Sequence, residues 1–331
     1  VTTAYDKPHL SYEDQVRLMK SRGLQCPDEA AAVQLLQQVG YYRLSAYVYP
    51  FREMLPASEA RKESPAHYRS NTIRDGTSFD DVQKLWRFDR KLRLKILDAL
   101  ETVEIGLRTR LAYVLGERHK FGHLERDALD ANACEEPCQD ESAADAFGEW
   151  LARYEKLKDA AKNEDFMVHH RCKYGDPIPV WIAVEFLDFG ALCKLYRLME
   201  KSDQNAVAIS MGVKGGTLLR RWLRDLNYLR NLCAHHSRLW NRVLTYKSAK
   251  FNDSQVGPDL AHAAKLEVRE KIYVLSACLA YLVRHVDPVS TWHTDFKTHV
   301  RKFPAVQGKS PESDMGFPEG WADLSLWQPR K

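Results

Sequence analysis

The chain has 331 residues, 44% of them hydrophobic and 28% charged, and a formal net charge of +4. This composition fits a globular protein of one large domain or two, and it lacks the run of eighteen apolar residues that a membrane span needs. So small a net charge does not by itself argue for a nucleic-acid partner.

The start, Val1-Thr2-Thr3-Ala4-Tyr5, carries no basic region followed by an apolar one, so no secretory leader is expected. The seven cysteines are an odd number, and Cys193, Cys233 and Cys278 fall on apolar helical faces. Thiols so placed pack as small hydrophobes, and a reduced, cytoplasmic setting is expected.

In chain order, Ser11 to Gly23 reads as a helix with Ser11 as N-cap, Asp14 at the capping-box position and Gly23 as its stop. Asp28 to Val39 is a second helix, closed by Gly40. Residues 41–52 hold five aromatics, which make either a packed hinge or a stacking surface for bases. Residues 53–76, with Pro56, Pro65 and Gly76, read as a loop. From Phe79 the apolar positions Leu85, Phe88, Leu92, Ile96, Leu100, Val103, Leu107, Leu111 and Val114 advance by three or four. That spacing predicts one helix of roughly 35 residues. Glu101, Glu104 and Arg108 lie beside its seam, either as partners for arginines elsewhere or as an exposed ladder.

Residues 119–148 are polar and read as an insertion between helices. Their Cys134 and Cys138 have no second ligand pair at zinc spacing, so no metal is expected. Helices are expected from Gly148 through Met167, over Val180 to Met199 with Gly190 in the middle, and from a Ser202-Asp203 cap. Gly215-Gly216 lead into the next helix, His262 to His285 forms another, and Ser290 starts a last one to about Phe303. The remaining tail is irregular. No strand set is evident, so the fold class is all-α, a multi-helix bundle.

The densest chemistry is at the end of the helix after Gly216, in the run Arg230-Asn231-Leu232-Cys233-Ala234-His235-His236. Leu219, Trp222, Leu226, Leu229 and Cys233 form one apolar face at helical spacing. Arg224, Asn227, Asn231 and His235 form a second stripe without the Glu/Lys pairs of an ordinary solvated face. Between Thr217 and Arg242 stand Arg220, Arg221, Arg224, Arg230, Arg238 and Arg242 against the single acid Asp225. Histidine transfers protons near neutral pH, and arginine presents a fork that fits phosphate oxygens. Together they suit metal-free phosphodiester chemistry.

The R-x4-H spacing at the end of a core helix resembles the signature of HEPN ribonucleases. The longer string from Arg230 to Arg242 resembles the Abi-like family of bacterial abortive-infection proteins, of the AbiD/AbiF type. Lys7-Pro8, Tyr41 to Ser45, Phe88 to Arg93, Val103 to Arg108, Pro179-Val180-Trp181, Phe189-Gly190 and Met315 to Pro318 also resemble that family, in its order. The resemblance implies a HEPN-type bundle over residues 77–304, within which the polar stretch 119–148, a variable insertion, matches nothing in the family. A helical extension would precede it over 1–76, and the tail 305–331 would pack back on it. It also implies an antiphage or toxin-like protein, a homodimer, and a small antitoxin RNA as partner.

On this reading Arg230, Asn231 and His235 match the family motif, with His236 the other candidate imidazole. Glu104 and Arg108 support the site, and Arg220, Arg221, Arg224, Arg238 and Arg242 hold RNA phosphates. The expected activity is a metal-independent endoribonuclease without cofactor. The alternative is a non-catalytic RNA-binding toxin or scaffold. Residues five apart on a helix point about 140° from each other. Arg230 and His235 therefore converge only if the helix distorts near Ala234 or if two copies share a site.

Overall fold

The computed structural model describes residues 6–56, 58, 68–138 and 143–330. Val1 to Tyr5 and Pro65, which figure in the sequence reading, lie outside the described residues. The described chain is mainly helical, as its periodicity predicts, and it divides into two compact units.

The first unit comprises residues 1–91 and 303–309. Its α1 (Tyr12–Ser21) starts where the Ser11 hydroxyl accepts from the Asp14 amide, and α2 (Glu29–Val39) starts where the Asp28 carboxylate accepts from the Ala31 amide. Both caps satisfy amides that a helix start leaves open. The aromatic stretch forms α3 (Tyr41–Val48) and a short 3-10 turn. Tyr47 and Phe51 go into the core, whereas Tyr42 is 90% exposed, so packing explains only part of that stretch. The Tyr47 hydroxyl donates to the fully buried Asp89 carboxylate at 2.5 Å, which gives that acid a partner away from water.

The expected loop at 53–76 is corrected. β1 (Arg52–Met54) pairs antiparallel with β2 (Arg69–Ile73), with Arg52 opposite Ile73 and Met54 opposite Arg69. Only Ile73 of these residues is buried, so the apolar alternation that marks a strand is missing.

The second unit comprises residues 92–302 and 310–331. The long helix is α4 (Phe79–Arg118, 40 residues), which begins in the first unit and continues into the second. The expected seam is buried from Leu85 to Leu111, then passes to Leu115 rather than Val114. The stretch after α4 is not wholly polar. It includes α5 (Ala131–Glu135), and His123, Leu129 and Cys134 are buried.

Three expected helices are each broken in two. α6 (Ala146–Ala160) and α7 (Asp165–Tyr174) replace the helix drawn through Met167, and His169 to Cys172 lie within α7. No residue from Ala161 to Phe166 is buried, so no core contact holds a helix together there. α8 (Val180–Phe186) and α9 (Phe189–Leu198) replace the helix over Val180 to Met199. Asp188 causes that break: its carboxylate accepts from the Ala191 amide and opens a new helix, with Gly190 in its first turn. α10 (Lys201–Ser210) begins before the expected Ser202-Asp203 cap, so both residues fall in its first turn, where the Asp203 carboxylate pairs with Arg118. After α11 (Gly216–Ala234), the third expected helix becomes α12 (Ala261–Ala264) and α13 (Ile272–Val286).

α13 is buried from Ile272 through Arg284 and forms the centre of this unit, with α11 and α14 (Trp292–Arg301) against it. The tail carries α15 (Pro311–Met315), and its Trp327 stacks on Phe296 and approaches Tyr273.

His123 is fully buried, and neither ring nitrogen has a partner among the described residues. Burial pushes it down from 6.5 to about 3. It stays neutral in the fold while the unfolded chain takes up a proton below 6.5. The unfolded state therefore binds more protons between these values, and stability falls as pH falls through that window. The expected loss is about 1.4 kcal/mol per pH unit from this group, well below 6.5. Burial also lowers His262 and His293, so they add to the slope. Urea unfolding from about pH 6.5 to about pH 4.5 should show this loss, and His123→Phe should make the dependence shallower.

Candidate functional site

The site is built on α11. The helix opens at Gly216, whose amide donates to the Asn205 side chain at 2.8 Å. A Cβ there would meet Gln204 at 2.7 Å, so only glycine allows α10 to pass so close. Leu219, Trp222, Leu226, Leu229 and Cys233 are each at most 1% exposed, so the predicted apolar face is the buried one. Arg221, Arg224, Asn231 and His235 are exposed, while Arg220, Asn227 and Arg230 are half-buried.

The helix stays regular through Ala234 and then stops. His235 is the C-cap, and the His236 amide donates to the Cys233 carbonyl at 3.0 Å. The Ser237 amide reaches back to the Leu232 carbonyl at 2.9 Å. This is a Schellman ending, with His236 at φ +56° in the left-handed position usually held by glycine. The motif thus divides by role. Leu232, Cys233, Leu239 and Trp240 are core, His236 turns the chain, and Asn231 and His235 face solvent.

The segment after the turn is tied back to α11 by buried polar groups. Asp225 is 2% exposed, and its carboxylate accepts from the Arg224 guanidinium at 2.8 Å and from the Ala249 amide at 3.0 Å. The buried Arg269 donates to the Ser248 carbonyl at 3.0 Å and to the Ala249 carbonyl. The Ser248 amide in turn donates to the Arg269 carbonyl, which ties the segment between α12 and α13 to this point. From α4, the buried Arg93 donates to the Ser237 carbonyl at 3.5 Å.

A cavity of about 770 Å³ opens along the polar side of α11. It collects Arg220, Arg221, Arg224, Arg230, Asn227 and Asn231 from the predicted set. Its other wall brings Arg153 of α6 with Lys194 and Arg197 of α9, which the sequence reading missed. The available signal was the spacing of Gly190, Lys194 and Arg197 by four and three along one helix face. Seven cationic side chains line this cavity against two carboxylates, Glu136 and Asp188.

Arg230 also lines a second cavity of about 620 Å³, together with Glu101, Glu104, Arg108 and Glu185. The Arg108 guanidinium donates to Glu104 at 2.5 Å and to the carbonyls of Val184 and Glu185. Glu104 follows neither reading as drawn: it pairs with Arg108 of its own helix, but the two side chains are 19% and 18% exposed rather than a solvated ladder. Arg230 therefore stands where an arginine-rich cavity meets an acidic one.

Other predicted residues lie elsewhere. Neither His235 nor His236 lines either cavity, although His235 lies one turn, about 6 Å, beyond Asn231 on the same stripe. Arg238 and Arg242 also lie outside both cavities, on the segment after the helix. Arg238 sits 5.9 Å over the Trp240 ring. Burial raises the Tyr228 phenol, but hydrogen bonds with Thr245 and Arg242 outweigh it and hold that group below its usual value. Cys134 is buried, and the Cys138 thiol donates to the Ala143 carbonyl. Among the described residues no three His, Cys, Asp or Glu side chains group as metal ligands, and no helix is long and apolar enough to cross a membrane.

Residues 34–241 match a family described as Abi-like protein, a span that covers more than half of the chain and ends with the α11 motif. The match does not extend to Lys7-Pro8 or to Met315 to Pro318. No curated protein and no solved structure matches the chain.

Two substitutions test how this region is held. Asp225→Ala leaves the Ala249 amide and the inward edge of the segment without their acceptor, and should cost roughly 1.5–3 kcal/mol in denaturant unfolding. His236→Gly removes the left-handed penalty at a small cost in chain entropy, and should raise stability by roughly 0.5–1 kcal/mol in the same assay.

Proposed function

The chain belongs to the Abi-like protein family, and from this premise we propose that it is an abortive-infection protein acting as a metal-independent endoribonuclease of HEPN type. The observation that carries the reading is the position of Arg230. It stands between a cavity rich in arginine and one rich in glutamate, with Asn231 beside it and His235 one turn further on.

In the proposed reaction His235 takes the proton of a ribose 2′-hydroxyl as the 2′-oxygen attacks the adjacent phosphorus. The new P–O bond closes a 2′,3′-cyclic phosphate, and the bond to the 5′-oxygen breaks. A second imidazole donates the proton that the leaving oxygen needs. Arg230 stabilises the charge on the phosphorane, and Asn231 orients a phosphate oxygen or the imidazole. Arg220, Arg221 and Arg224 hold flanking phosphates, and Arg238 and Arg242 extend that contact past the helix end. Glu104 and Arg108 form the acidic cavity's border with Arg230.

Because α11 is regular up to Ala234, Arg230 and His235 of one copy remain about 140° apart around the axis. A two-fold dimer brings the Arg230 of one protomer to the His235 of its partner, and the partner's adjacent His236 is the second imidazole. A small RNA, of the kind the family resemblance implies, would restrain the activity by laying a single-stranded segment in the same arginine cavity.

One observation favours a second reading, a non-catalytic RNA-binding toxin or scaffold. The cavity that would hold RNA phosphates contains neither histidine. Cutting of RNA in EDTA separates the two readings. The ribonuclease reading expects products with 2′,3′-cyclic phosphate and 5′-hydroxyl ends, and loss of cutting by at least about 100-fold in His235→Ala or Arg230→Ala with RNA binding and helical signal kept. Mixing those two inactive variants should restore part of the activity, because a mixed dimer keeps one site with both residues. A 5′-phosphate product, or a need for Mg²⁺, would overturn the mechanism. Mixed variants that stay inactive would overturn the shared site.

A further inference from the structure

We infer that the α6/α9 wall of the arginine cavity is a phosphate-binding surface for single-stranded RNA, opposite the one on α11. The inference rests on the ribonuclease reading and extends it to residues outside the family motif. Arg153, Lys194 and Arg197 line the same space as Arg220, Arg221 and Arg224. Like charges gathered in one concavity repel, and a polyanion between them relieves that repulsion.

The three cations of this wall are not neutralised by strong pairs. Arg153 pairs with Asp188, Arg197 with Glu136, and Lys194 with Glu149 at 2.5 Å. The side chains of Arg153 and Arg197 are 35% and 36% exposed, and their partners more so. Pairs so open are worth about 0–1 kcal/mol each. A phosphate offers the same guanidinium two acceptor oxygens, so the exchange is cheap.

The size of the cavity selects the ligand. A space of about 770 Å³ between helices accepts a nucleotide or a strand, not a duplex. The Asn227 and Asn231 amides, on its α11 side, offer donors and acceptors to base edges. Gly190 lies opposite Asn227, where a Cβ would already stand 3.6 Å from that amide, so a larger side chain would fill the space between α9 and α11.

The competing explanation is that these pairs only staple α6 and the segment after α5 onto α9. Substitutions of opposite sign separate the two. Binding of a labelled single-stranded RNA 12-mer would be measured by anisotropy over a range of salt, in the full chain carrying His235→Ala to prevent cutting. Arg153→Gln with Arg197→Gln should weaken binding about tenfold or more and lower the salt slope by about 1.4. Glu136→Gln, which removes an acid and frees Arg197, should tighten binding. Lys162→Gln with Lys156→Gln likewise removes two charges, from α6 and the turn after it, at residues that do not line the cavity, and should change neither quantity.

A staple would instead make Glu136→Gln and Arg197→Gln alike, both lowering the melting temperature with the salt slope unmoved, and that result would overturn the inference. Unchanged affinity and slope in the double variant, with the parent chain binding RNA, would also overturn it and leave the ribonuclease reading standing. A parent chain that neither binds nor cuts RNA would overturn both.

Discussion

The carboxylate of Asp225 is the constraint on which the arrangement of the site depends. It points inward from α11, away from the cavity that its neighbour Arg224 lines, and accepts both from that arginine and from the Ala249 amide. A buried carboxylate is tolerable only when its lone pairs are used. Once Ala249 is fixed there, Arg269 can reach the Ser248 and Ala249 carbonyls, and the chain between α12 and α13 is held beside them. The Trp222 ring packs on Phe251 in the same region. One acid in a run of arginines thus acts as the fixed point round which the chain beyond the motif is folded.

Much of this was legible in the sequence, for reasons that differ by element. The apolar face of α11 could be read because its burial is periodic, and α1 and α2 because Ser11 and Asp28 cap them. The α8/α9 break could not be read from apolar spacing, which continues through Val184, Leu187 and Ala191. The spacing lapses between Ala161 and Phe166 and between Leu266 and Ile272, and those gaps mark the α6/α7 and α12/α13 breaks. The breaks are set by a cap at Asp188, by missing core contacts after Ala160, and by an arginine whose carbonyl partners lie some twenty residues back. The hairpin was hidden because its strands bury almost nothing. Among the site residues, those on α11 shared one helix and could be seen together. Arg153 and Arg197 join them only through tertiary packing, and each is separated from the motif by other helices.

The charge balance follows the same logic. Forty-nine basic residues nearly cancel forty-five acidic ones over the whole chain, yet the cancellation is uneven in space. Cations of α6, α9 and α11 meet in one cavity with few acids, while Glu101, Glu104 and Glu185 meet in the next. A field of that kind depends on which faces the helices turn toward each other, and no sum over the sequence reports it.

The ending of α11 has a consequence for motion. The last turn of a helix usually frays, because its groups have lost their partners on one side. Here three consecutive amides, those of His235, His236 and Ser237, are all bonded back into the helix at 2.9–3.0 Å. Their hydrogens should exchange with solvent as slowly as those of a helix interior, although the side chains stand at the surface. What remains free at His235 is the torsion of its own side chain, which samples its rotamers in picoseconds to nanoseconds. On the proposed reading the imidazole would engage its substrate from a backbone already held in place, and the entropy lost would be that of one side chain rather than of a loop.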